Sequence, residues 1–321
     1  MTSRFSPGRQ ERVSEPQPNP FASAPDRGAA DRGVTIRPDG GPPAPGAQPV
    51  DQPGSGLGLI VAVAVAVVVF VLAIYAGGQP SANRYPAFQT TNVLFWFVAV
   101  LAIAGAGAGA QYAEITAARG NGVEHRRGPD AYPTAWIVPA ISTFAAILLV
   151  ATFHNPLMMA VGPLVAFFGN AGALLARDLL DDAADASQRS AITVHSLVVH
   201  IIAFVAFSAI YLNKFPTPVT ATLAGLIAAL LTLETLERAL APRLQRLIYG
   251  ALGGFALAET AIALNWWQTH GWVGGAVLLV AFYLASGILL AATERTRTRT
   301  RDLFEYGLVG AVTLVILAIT A

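Results

Sequence analysis

Residues 253–267 read GGFALAETAIALNWW, from Gly253 to Trp267. The apolar residues show no alternation of period two, the mark of a half-buried strand. Extended back to Leu247, the run covers 247–265, close to the ~20 residues that carry a helix across ~30 Å of hydrocarbon. Trp266 and Trp267 close it, where amphipathic rings settle at the headgroup level. The run is a membrane-spanning helix, and the question it poses is the single carboxylate, Glu259, inside it.

The rest of the chain repeats the pattern. Of 321 residues, 54% are hydrophobic and only 12% charged, and the mean hydropathy is +0.55. A soluble domain carries about 25% charged residues, so too little polar surface exists to coat a soluble body. Apolar runs recur at 57–76, 93–111, 134–153, 157–176, 191–212, 218–236, 247–265, 272–292 and 303–321. In lipid, only helices and closed barrels satisfy their own backbone polar groups, and these lengths are helical. The expected fold is all-α, a polytopic transmembrane bundle of nine spans over 57–321. His154-Asn155-Pro156 is read as a tight hairpin between the third and fourth spans.

Residues 1–56 hold eleven prolines, six arginines and six acids. Such a segment buries too little apolar surface to offset its ordering entropy, so a disordered tail is expected. It has no short apolar region near Met1, as a signal peptide would.

The basic residues set the orientation. With nine spans, 18 of the 20 lysines and arginines fall in the tail and in the loops near 112–133, 177–190, 237–246 and 293–302, leaving only Arg84 and Lys214 opposite. Basic residues concentrate on the cytoplasmic side, so the N-terminus is expected inside, the C-terminus outside, and the protein in the plasma membrane. Trp266, Trp267 and Trp272 then flank an outer turn. The lipid bilayer is one partner; a membrane-protein partner or a homo-oligomer is the other. No basic face with interleaved aromatics suggests nucleic acid. The absence of cysteine excludes disulfides and thiolate chemistry.

The second span carries Ala104-Gly105-Ala106-Gly107-Ala108-Gly109-Ala110. Gly105 and Gly109, at i and i+4, would let another helix approach closely.

Ionisable residues inside spans are functional suspects by default. Glu259 leads them, since it lies about 9 Å below Asn265 at ~1.5 Å rise per residue and the apolar runs hold no lysine or arginine to pair with it. It either hydrogen-bonds another helix or relays protons or ions. His195 and His200, on the fifth span, and Asn170, on the fourth, are the other candidates for an intramembrane polar site. Histidines five apart do not share a face as i and i+4 do, which disfavours joint metal binding. Glu305 reads as a first-turn acid favoured by the helix dipole. Arg295, Arg297, Arg299 and Arg301 read as contacts to anionic lipid.

Asp178, Asp181 and Asp185 follow a DxxDxxxD spacing in the loop 177–190. This resembles the clusters with which intramembrane prenyltransferases hold Mg²⁺ against a diphosphate, hard cations preferring carboxylate oxygens. That family, also of nine spans in this orientation, carries its clusters after the second and sixth spans. Here those places read Ala117-Ala118-Arg119-Gly120 and Glu237-Arg238-Ala239-Leu240. No HExxH, GxSxG or Walker motif occurs. The leading reading is a non-enzymatic protein without a cofactor, either a small permease-like transporter or an accessory subunit of a membrane complex; the alternative is a prenyltransferase-like enzyme holding Mg²⁺ at Asp178, Asp181 and Asp185.

Glu259 with Ala263-Leu264-Asn265-Trp266, then Gly271-Trp272-Val273-Gly274-Gly275, then Glu305-Tyr306-Gly307-Leu308 resemble an uncharacterised family of bacterial multi-pass membrane proteins, a domain of unknown function. The resemblance covers about residues 250–310 and implies membrane topology without implying an activity.

Overall fold

Apolar runs that cannot leave backbone groups bare in lipid fold as helices, and the computed structural model contains no strand among its described residues. These are 53–76, 83–121, 133–153, 155–182, 188–237, 242–267 and 271–294, with 304, 307–313 and 315 near the C-terminus. The helices are α1 (Pro53–Tyr75), α2 (Val93–Asn121), α3 (Ile137–Thr152), α4 (Pro156–Asp182), α5 (Gln188–Leu212), α6 (Thr217–Thr235), α7 (Arg243–Trp266) and α8 (Gly271–Glu294), with a 3-10 turn at Pro86–Phe88 between α1 and α2. A further helical stretch covers 307–313. The tail expected over 1–56 lies, up to residue 52, outside the described residues. So do His154, Glu305, the four arginines at 295–301 and much of the ninth expected span.

Seven helices, all but α3, contain apolar segments of 19–25 residues that can cross a membrane. Their outward faces carry large apolar side chains such as Ile60, Phe97, Leu226 and Phe255, all more than half exposed. In water such a surface would aggregate; in lipid it is solvated. The chain is a multi-pass helical membrane protein.

The third expected span, 134–153, is different in kind. α3 has 16 residues, about 24 Å at 1.5 Å per residue, and every residue except Phe144 and Thr152 is buried. It packs against α1, α2, α4, α5 and α6. Hydropathy alone cannot tell a helix enclosed by protein from one enclosed by lipid, since both are apolar all round.

Small residues set the closest contacts. Along α6, Gly225 and Ala229 stand at i and i+4, facing Gly250, Gly254 and Ala258 of α7. A Cβ on Gly254 would lie 2.6 Å from the Gly225 carbonyl oxygen, and one on Gly225 would lie 2.9 Å from that of Gly254. The two backbones touch, as small-residue faces allow in membranes. The glycine pair of the opening stretch thus meets a neighbouring helix. On α8, Gly274 and Gly275 admit Tyr211 and Ser208 of α5 in the same way.

Of the glycines expected to pack, Gly109 does so, its Cβ position 2.7 Å from Val61 of α1, whereas Gly105 has nothing within 4 Å. Gly107, not anticipated, faces Trp136 and Ala140. The repeat showed a small-residue helix but not which azimuth met a neighbour.

Thr152, the last residue of α3, meets a polar knot. Asn213, wholly buried after α5, donates from Nδ2 to Thr152 Oγ1 (2.8 Å) and to the Ala209 carbonyl (2.9 Å). Its Oδ1 accepts the Ala87 N–H of the 3-10 turn at 2.8 Å. One amide therefore fastens the turn, α3 and α5. Exchanging Asn213 for leucine is expected to cost about 1–3 kcal/mol, because a buried N–H loses its acceptor. A lower thermal midpoint in detergent would register this; an unchanged midpoint would show that the knot carries no stability.

Candidate functional site

The densest cluster of ionisable side chains lies at the opposite end of α3. Arg177, near the end of α4, is 4% exposed. Its Nε and Nη2 donate to the two carboxylate oxygens of Glu234, at 3.0 and 3.1 Å. This two-pronged pairing is the strongest geometry available to arginine. Nη1 donates to Glu114 at 2.7 Å, and Nη2 also donates to Thr134 Oγ1, at 2.5 Å, and to Glu237. His195 turns Nε2 to within 3.2 Å of Glu234 Oε1.

Each partner arrives from a different part of the chain. Glu114 is on the C-terminal part of α2, Glu234 and Glu237 are at the end of α6, His195 is on the second turn of α5, and Thr134 precedes α3. A helix C-terminus carries partial negative charge and disfavours acids, so Glu234, in the last turn of α6, needs a cation. Arg177 supplies it. Breaking a buried pair strands a charge, so the cluster couples α2, α4, α5 and α6 around the start of α3.

Read as a sequence, Arg177 opened the loop 177–190, and the spans held no buried cation. Both readings are corrected: α4 continues to Asp182, and Arg177 is buried within it. The available signal was Glu234 and Glu237 together at the end of the apolar run 218–236. Beside the cluster lies a cavity of about 240 Å³, reached by Thr134, Glu237, Arg246, Trp136 and Leu233.

The four residues expected as an intramembrane polar site occupy separate environments. Among the described residues no hydrogen bond, ion pair or ring contact joins any two of them. His195 belongs to the Arg177 cluster. Asn170, 1% exposed, faces α3, where its Nδ2 donates to Thr143 Oγ1 (3.1 Å) and, more loosely, to Ser142 Oγ (3.4 Å), and to the Ala166 carbonyl at 2.7 Å. His200 faces α8, with Nδ1 2.7 Å from the Ser196 carbonyl and its ring against Phe282 and Tyr283. Glu259 faces away from the bundle. The buried residues of α7 are Gly250, Gly253, Gly254, Leu257, Ala261 and Leu264, whereas Leu252, Phe255, Glu259, Ile262 and Trp266 form its exposed stripe.

A second cavity, of about 300 Å³, is bounded by apolar side chains of α4 and α5 over Ser142 of α3. Asp178 lies on α4, while the side chains of Asp181 and Asp185 fall outside the described residues. Among the described residues no group of three His, Asp or Glu side chains is placed to hold a metal ion.

No curated protein and no solved structure matches the chain. The resemblance carried by 250–310 extends much further. The model of a family described as "Protein of unknown function (DUF5656)" matches residues 67–320, and this chain, matched over most of its length, belongs to that family.

Proposed function

We propose that this protein is a non-enzymatic subunit of a plasma-membrane complex, docking another membrane helix on the exposed stripe of α7 with Glu259 as the polar contact. One observation carries this reading: Glu259 is exposed, at the middle of a stripe otherwise made of Leu252, Phe255, Ile262 and Trp266. A bare carboxyl group in hydrocarbon is costly, and polar residues at that depth turn toward a partner or a water-filled space. Arg177, Glu114, Glu234, Glu237, His195 and His200 find their contacts inside the bundle; Glu259 is offered outward. The basic-residue distribution supports an orientation with the Arg177 end toward the cytoplasm.

A permease-like reading draws on the Arg177 cluster, an ion-pair network at one end of an enclosed helix. It predicts that transport needs the ionisable acid at 259. The subunit reading predicts instead that Glu259→Gln keeps the partner, because an amide still hydrogen-bonds, and that Glu259→Ala loses it. Both variants should fold normally, since among the described residues the exposed side chain makes no hydrogen bond or ion pair within the bundle. Mild solubilisation from native membranes, followed by identification of co-purifying proteins, reads the difference. Unchanged co-purification with the alanine variant would refute the docking role.

A further inference from the structure

We infer that the partner on α7 is a second copy of this chain, related by a twofold axis along the membrane normal. This rests on α7 being a docking face, and it names the occupant.

The exposed residues Ile248, Leu252, Phe255, Glu259, Ile262 and Trp266 are separated by four, three, four, three and four positions. The alternation of four and three follows the heptad pattern with which two gently crossing helices keep contact along their length. The opposite face of α7 is committed to α6 through Gly250, Gly253 and Gly254. The stripe lies on the exposed side and runs nearly the full helix.

Complementarity then selects the occupant. Copies of one chain insert in a single orientation, so two α7 helices meeting on this stripe run parallel. A twofold axis along the membrane normal sets each residue opposite its own equivalent, as an isologous contact demands. Glu259, the one polar residue of the stripe, therefore meets Glu259. A protonated carboxyl has one O–H donor and a carbonyl acceptor, so two of them close a pair of reciprocal O–H···O hydrogen bonds. Both acids are satisfied with no cation brought into the hydrocarbon, where a lysine or arginine on a foreign helix would itself be costly. A single polar residue within an apolar seam also fixes the register of the two helices.

The chain has no cysteine, so single substitutions report on proximity without background. In native membranes of cells expressing the full chain, Phe255→Cys and Ile262→Cys are expected to give self-linked dimers on mild oxidation. Val100→Cys, on the exposed side of α2, should give none. Adding Glu259→Leu to Phe255→Cys should lower the dimer yield about tenfold, the factor that loss of a pair of intramembrane hydrogen bonds implies, whereas Glu259→Gln should preserve it. If Phe255→Cys and Ile262→Cys form no self-linked dimer while a different protein co-purifies in a Glu259-dependent way, the second-copy inference is overturned and the docking face stands. If neither self-linking nor a Glu259-dependent partner is found, both fall.

Discussion

Replacing Arg177 by leucine is expected to destabilise the bundle by about 3–5 kcal/mol, the usual cost of removing one partner from a buried ion pair. The loss comes from what the leucine leaves behind. Glu234, 2% exposed and in the last turn of α6, where the helix dipole already disfavours negative charge, would lose both prongs of its guanidinium, and Glu114 and Glu237 would lose their contacts with it. Lysine should fall in between, since it restores the charge but not the fork that reaches three carboxylates and a hydroxyl at once. Combining Arg177→Leu with glutamine at 114, 234 and 237 should recover much of the loss, because the stranded charges are then gone. Thermal midpoints and monodispersity in detergent give the comparison. An Arg177→Leu protein within about 1 kcal/mol of wild type would show that the cluster is not a stabilising hub.

The second large effect is expected where α6 and α7 touch. Alanine at Gly254 brings its Cβ within 2.6 Å of the Gly225 oxygen and 2.8 Å of Ala229 Cβ. A backbone oxygen cannot rotate aside as a long side chain can, so the helices must part. Parting them loosens the dispersion contacts along the seam, which hold helices together where lipid removes the hydrophobic drive. A loss of about 1–3 kcal/mol is expected for alanine and more for valine. Gly105→Ala is the matched control, since its added methyl group meets open space and alanine favours a helix over glycine by about 0.5–1 kcal/mol. A Gly254→Ala protein as stable as Gly105→Ala would refute the backbone contact.

These two sites mark where the sequence was legible and where it was not. Helices were readable because lipid imposes a length and an apolar composition on each of them. Helix ends were less so: α2 runs to Asn121 and α4 to Asp182, beyond the apolar runs ending at 111 and 176. A hydropathy boundary locates the edge of the hydrocarbon, while the helix continues for as long as its last turns find partners. Those partners are Glu114, Arg177, Glu234 and Glu237, brought together from distant parts of the chain. Nothing local marks Arg177 as buried, because its charges are matched only in three dimensions. The glycines of α7 were readable as a place of close approach, but the azimuth of Gly105 and of Glu259 was not. For Glu259 the depth was evident and the direction, outward, emerged only from the packing of α6 against the opposite side of α7.

The enclosure of α3 has a consequence for how the protein assembles. Its neighbours lie on both sides of it in the chain, α1 and α2 before and α4, α5 and α6 after, so its surroundings are complete only once α6 has been inserted. Until then α3 is a guest in lipid, shorter than the ~30 Å hydrocarbon layer and carrying Ser142 and Thr143 among its apolar residues. Afterwards its length is answerable to the bundle instead of the bilayer. Substitutions along it should be felt as in the close-packed interior of a soluble protein, while the outer faces of α1 and α2 exchange one large apolar residue for another with little effect. The chain thus has two interiors governed by different solvents, and α3 belongs to the one made of protein.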